Sequence, residues 1–158
     1  MRSSGFTLVE LIITILLLSI VSVVAYTRLP SFSGYALDGY CAELKSGIRR
    51  VQTQAMNDVA VSGAYQILSS NTASVVTWSN PAIELNPSPD CVGPNCSRLM
   101  SFSAEDVQRG IRINSQLVNF DTFGRPVDSE ETTDFIISAP DGSQEVIEIN
   151  QEGYVGGC

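Results

Sequence analysis

The chain of 158 residues carries a net charge of -8 and a pI near 4.3, with nine Lys and Arg against seventeen Asp and Glu. That balance argues against a nucleic-acid partner, because phosphate binding rests on clustered Lys and Arg. With no histidine and a single lysine, acid–base chemistry falls mainly to carboxylates and serines. None sits in a frame such as Gly-x-Ser-x-Gly, so the reading is non-enzymatic, with no cofactor and no metal expected.

Arg2 and small polar residues come first, and Gly5-Phe6-Thr7-Leu8-Val9-Glu10 then leads straight into the apolar run Leu11 to Tyr26. From Phe6 to Thr27 the only charge is Glu10. A helix of that length, at roughly 1.5 Å per residue, reaches about 33 Å, enough for a hydrocarbon core near 30 Å. The β-branched residues Val9, Ile12, Ile13, Ile15, Ile20, Val21, Val23 and Val24 lower helix propensity in water. Lipid overrides that preference, because the backbone there must satisfy its own hydrogen bonds. A charge at the bilayer centre costs roughly 2.5 to 3.5 kcal/mol even on the mildest scale. Glu10 therefore points to a partner.

These residues resemble the type III signal of type IV pilins and of the pseudopilins of type II secretion. The resemblance implies that prepilin peptidase cleaves after Gly5 and that the new N-terminal Phe6 is methylated. It also implies that Glu10, fifth in the mature chain, meets the terminal amine of a neighbouring subunit as helices pack in a fibre. The organisation expected is a leader over 1–5, a transmembrane and assembly helix over 6–29, an amphipathic helix over 30–61 and a globular head over 62–158. The fold expected is α+β and pilin-like, a long N-terminal helical stalk packed on an antiparallel β-rich head. Its partners would be other pilin or pseudopilin subunits, prepilin peptidase, an inner-membrane assembly platform and, before assembly, membrane lipid. The precursor would cross the bacterial inner membrane once with its head in the periplasm. A rival reading is a secreted protein cut by ordinary signal peptidase after Val23-Val24-Ala25.

Around Leu29-Pro30-Ser31-Phe32-Ser33-Gly34 the pattern should kink or break, since proline inside a helix costs about 3 kcal/mol. The family usually carries a helix-softening proline near this depth; here Thr27 takes that place and Pro30 lies three residues later. From Tyr35 to Val59 the apolar residues Leu37, Cys41, Leu44, Ile48, Val51, Ala55 and Val59 recur every three or four positions, predicting a second helix that lies on a sheet. Beyond Ser62, short runs rich in Val, Ile, Thr and aromatics predict strands near Ala64–Ser69, Ser74–Trp78, Arg98–Ser103, Gly110–Ile113, Gln116–Phe120, Asp134–Ser138 and Glu145–Ile149. The alternation in Glu145 to Ile149 predicts one solvated face.

Four cysteines allow three pairings. Cys91-Val-Gly-Pro-Asn-Cys96 brackets a turn signal, so Cys91 and Cys96 are read as closing a short loop and Cys41 as meeting Cys158. Asn95-Cys96-Ser97 matches the glycosylation pattern by chance. The carboxylates between Asp128 and Asp134 lack the start of a recognised calcium loop and are read as solvated. Phe120-Asp121-Thr122-Phe123-Gly124-Arg125-Pro126 is read as a hairpin turn whose phenylalanines fill the core. It resembles a phrase in H-type pseudopilins and their minor-pilin relatives, and with the acidic head it is most similar to the C-type minor pilins of mannose-sensitive haemagglutinin pili.

Overall fold

The computed structural model describes residues 7–26, 32–58, 65–72, 74–84, 96–127 and 131–158. The chain divides into two compact units, Met1–Ser31 and Phe32–Cys158.

The first unit holds helix α1, Leu8–Tyr26. Thr7 caps it: its Oγ1 accepts from the Glu10 amide at 3.3 Å and its carbonyl from the Leu11 amide at 3.2 Å. Thr7-x-x-Glu10 has the spacing of a capping box, and a carboxylate in the first turn suits the positive end of the helix dipole. The hydroxyls of Thr14, Ser19 and Ser22 donate to the carbonyls of Leu11, Ile15 and Leu18 at 2.7 to 2.8 Å. These polar side chains are thus satisfied within the helix, as an apolar surrounding demands.

The second unit opens with α2, Phe32–Asn57. The break expected through Gly34 does not extend that far: residues 27–31 lie outside the described segments, but Phe32 to Gly34 are already helical. Ser33 anchors that first turn by donating to the Asp141 carboxylate. The apolar stripe behaves as the periodicity predicts, with Leu37, Cys41, Leu44, Ile48, Val51 and Ala55 all 0 to 1% exposed; Val59 lies outside the described residues.

Among the described residues eight strands follow: β1 Tyr65–Ser70, β2 Val75–Ser79, β3 Arg98–Ser101, β4 Arg112–Ile113, β5 Gln116–Phe120, β6 Thr133–Ser138, β7 Gln144–Ile149 and β8 Val155–Gly157, with a short helix α3, Ala104–Gln108, after β3. They form two antiparallel sheets ordered β3-β2-β1-β5 and β4-β6-β7-β8. Their inner faces supply Ile67, Val76, Trp78, Val118, Phe120, Phe135, Ile137, Ile147 and Ile149 to one core with the α2 stripe. Asn114, just after β4, stitches the sheets: its side chain donates to the Asp134 carbonyl and accepts from the Ile136 amide on β6, while its carbonyl accepts from Ser69 of β1. In β7, Ile147 and Ile149 are buried and Glu148 is exposed, giving the one wet face expected.

The turns Asp121–Arg125, Ala139–Ser143 and Asn150–Tyr154 share one design. In each, the first residue's amide donates to the fifth carbonyl, and the fourth residue's amide donates back to the first carbonyl. The fourth residue is Gly124, Gly142 or Gly153, at φ of 76°, 86° and 81°. This is the three-residue hairpin loop with a left-handed glycine bulge, which favours glycine at that place because L side chains are strained there. All three are reinforced from within: Asp121 Oδ1 accepts from the Phe123 and Arg125 amides, Asp141 Oδ1 from the Ser143 amide, and Asn150 Oδ1 from the Glu152 and Tyr154 amides.

Candidate functional site

Among the sequence-predicted positions, Gly5 and Phe6 lie outside the described residues. Glu10 stands in the first turn of α1, and no residue of that helix is buried. Leu8, Leu11, Ile12, Ile15, Leu16, Ile20 and Val23 are all exposed. An apolar surface of this extent requires a covering of lipid or of other helices. Among the described residues α1 is the one helix long and apolar enough to cross a membrane, with a mean hydropathy of 2.8.

In the head, Cys41 on α2 is bonded to Cys158 after β8, their Cα atoms 6.1 Å apart. Cys96 is also disulfide-bonded; Cys91, the partner the sequence reading gave it, lies outside the described residues. Disulfides belong to an oxidising compartment such as the periplasm.

What the sequence reading missed is how α2 holds β8. Lys45 Nζ donates to the Gly157 carbonyl at 2.5 Å, Arg49 to the Val155 carbonyl at 3.3 Å and Gln52 to the Gly153 carbonyl at 2.8 Å. Donors spaced four and three residues apart on one helix face thus meet carbonyls two apart along a strand running the other way. β8 is an edge strand, and an open edge invites pairing with another chain, so this row of side chains shields it. Neither β8, with its Gly156-Gly157 pair, nor α3 has a strong propensity signal. For α3 the readable cue was Ser103, whose Oγ accepts from the Asp106 amide at 3.1 Å.

Gln52 also donates to the Gly124 carbonyl at 2.9 Å, so one buried amide clips together the turns at Asp121–Arg125 and Asn150–Tyr154. This corrects the reading of Phe120 to Pro126: Phe120 is fully buried, but Phe123 is 71% exposed. The bulge geometry turns Phe123 outward, where Arg125 lies 5.0 Å over its ring and also pairs with Asp121 at 2.9 Å. Phe123, Tyr154 and Met56 border an open groove of about 450 Å³ that Arg49, Gln52, Thr53 and Glu152 complete.

The head's perturbed titrations are structural. Asp141 is held at about 2 by hydrogen bonds from Ser143 and Ser33. Burial and a hydrogen bond to Asp106 push the Tyr40 phenol up, while Ser103 and Tyr40 hold the Asp106 carboxyl down. For Asp121, burial acts upward but is outweighed by donation from the Arg125 and Phe123 amides and the Arg125 side chain. In the acidic stretch, residues 128–130 lie outside the described segments, and Asp134 sits in β6 opposite Glu148. No group of three or more His, Cys, Asp or Glu suited to a metal ion occurs among the described residues.

Residues 1–26 match the prokaryotic N-terminal methylation motif. No curated protein and no solved structure gives a significant match. The N-terminal segment thus carries a prepilin-type methylation motif on an apolar helix, and the fold, a helix packed on antiparallel sheets, is pilin-like and α+β.

Proposed function

We propose that this chain is a minor structural subunit of a type IV pilus of the mannose-sensitive haemagglutinin type, helping to initiate or cap fibre assembly. The observation that carries the fibre reading is Glu10: a lone carboxylate in the first turn of a helix whose apolar surface is wholly uncovered. In this reading cleavage follows Gly5, Phe6 becomes the methylated terminus, and its amine in one subunit pairs with Glu10 in the next. Opposite charges away from water attract strongly, and an unpaired one is penalised, so the pair enforces axial register. The leader covers 1–5, the membrane and assembly helix 6–29, the amphipathic helix 30–61 and the head 62–158. The precursor spans the inner membrane with its head in the periplasm, where an assembly platform draws it into the fibre.

The subtype rests on the phrase Phe120 to Pro126 within an acidic head. Because H-type minor pseudopilins share that phrase, a place in a type II secretion pseudopilus is the second reading. A role as a ligand-binding adhesion subunit of the same fibre is a third, for which the exposed Phe123 and Tyr154 speak. N-terminal sequencing of the mature protein tests the fibre reading: a methylated Phe6 supports it, and a chain starting at Tyr26 sinks it. A deletion strain then separates the apparatus, through loss of surface pili or loss of a secreted substrate.

A further inference from the structure

We propose that the Cys41–Cys158 bridge closes last, on a head already folded, and in a fixed order: Cys158 reacts with the incoming oxidant and Cys41 resolves the product. The two residues differ in burial. Cys41 is 0% exposed, in the α2 stripe between Leu37 and Leu44, whereas Cys158 is exposed beyond β8. A buried thiol behaves as a small apolar side chain, so Cys41 fits the core whether reduced or bridged.

The bridge is also not what brings the sulfurs together. The β7–β8 ladder pairs Ile149 with Val155, Glu148 with Gly156 and Ile147 with Gly157. Val155 is buried, and Lys45, Arg49 and Gln52 hold the carbonyls on the helix side. These contacts set the register of β8 without any sulfur chemistry, and a slip of one residue would turn Val155 out of the core. The bridge therefore locks, and reports, a strand that has already docked.

The chemistry is two exchanges. The Cys158 thiolate attacks a disulfide RSSR, forming Cys158–S–S–R and releasing RS⁻. The Cys41 thiolate then attacks the Cys158 sulfur, forming the native bridge and expelling a second RS⁻. Two electrons pass to RSSR, and the two thiol protons leave as 2 RSH. The inference holds whichever fibre the subunit serves.

The test uses the full chain in detergent, reduced without denaturant, with oxidised glutathione as RSSR and N-ethylmaleimide as a thiol probe, read by peptide mass mapping. Exposure governs such reactivity, so Cys158 should label more than about tenfold faster than Cys41. Cys41→Ala should accumulate glutathione on Cys158 while the amide of Gly156, the β8 residue paired with Glu148 of β7, stays protected from exchange. Cys158→Ala keeps Cys41 in place and should leave it unmodified. Equal labelling of the two cysteines in the reduced wild type, glutathione on Cys41 in Cys158→Ala, or an unprotected Gly156 amide in a Cys41→Ala head whose β6 and β7 amides stay protected would overturn the proposal.

Discussion

Gly153 faces the carbonyl of Gly124 so closely that a Cβ built on it would lie 2.3 Å from that oxygen. The neighbour is backbone, and its oxygen also accepts from the Gln52 side chain. Gly124 differs: its Cβ would press only on the flexible side chain of Met56, at 3.1 to 3.2 Å, with Gln52 Cβ in ordinary contact at 3.8 Å. Both glycines have positive φ, yet only one is also walled in by main chain. Gly153→Ala should therefore destabilise the head by more than about 2 kcal/mol, backbone strain alone being worth about 1 to 3. Gly124→Ala should cost about 1 kcal/mol. Thermal unfolding of the two variants in detergent checks the order; equal losses would show that the contact between the turns yields.

The difference between these glycines marks where the sequence stopped being legible. The periodicity of Leu37 to Ala55 and the β-rich runs from Tyr65 to Ile149 reveal helix, strands and fold class, because burial of one face writes itself into spacing. The Cys41–Cys158 pairing was readable because the Gly-Pro signal between the other two cysteines left one partner each. β8 was not, since Val155-Gly156-Gly157 owes its place to donors on α2 and a ladder with β7, both remote in sequence. Phe123 misled for a related reason: turn residues and aromatic identity were visible, but the direction in which a bulged turn aims a side chain depends on φ at Gly124. At Glu10 the motif and the lone charge were plain, while Thr7-x-x-Glu10 as a cap went unnoticed.

The two phenylalanines of that turn should separate cleanly on mutation. Phe120→Ala removes a fully buried ring from the core and should cost about 3 to 5 kcal/mol. Phe123→Ala removes an exposed ring whose one described aromatic contact is Arg125, and should change stability by less than about 1 kcal/mol. Denaturant midpoints of the two variants measure this. A comparable loss for Phe123→Ala would mean that its ring is covered in the folded protein.

At the start of α2, the Ser33–Asp141 contact predicts a titration. Asp141 is depressed to about 2 by Ser143 and Ser33, against an ordinary carboxylate value near 3.9. A depressed value means that the ionised form favours the folded state. The contribution is present above the unfolded value and is lost as pH falls through about 2. Ser33→Ala removes one of the two hydroxyl donors and should move the Asp141 midpoint upward without reaching the ordinary value, because Ser143 remains. Carbon-detected NMR of the Asp141 carboxyl reads it directly. A midpoint unchanged in Ser33→Ala would show that Ser143 alone sets the shift.

Glu10 carries two separable roles, and substitution can tell them apart. As the acid of the first turn of α1, beside Thr7, it favours the helix dipole by about 0.3 to 1 kcal/mol. As the proposed partner of a neighbour's terminal amine it carries more, since truncating one member of a buried pair costs about 3 to 5 kcal/mol. Removing the carboxylate makes entry into lipid easier, so a defect in the variant cannot come from a failed span. Glu10→Gln keeps a side chain suited to the capping position but carries no charge. Both Glu10→Gln and Glu10→Ala should therefore insert, be cut after Gly5 and fold their heads, yet fail to complement a deletion strain. Counting surface fibres or secreted substrate, beside an immunoblot for mature protein, makes the measurement. If Glu10→Gln restores assembly and Glu10→Ala does not, the residue acts through its cap and not its charge. If both restore it, the charge pair is dispensable and the register of the fibre is set elsewhere on α1.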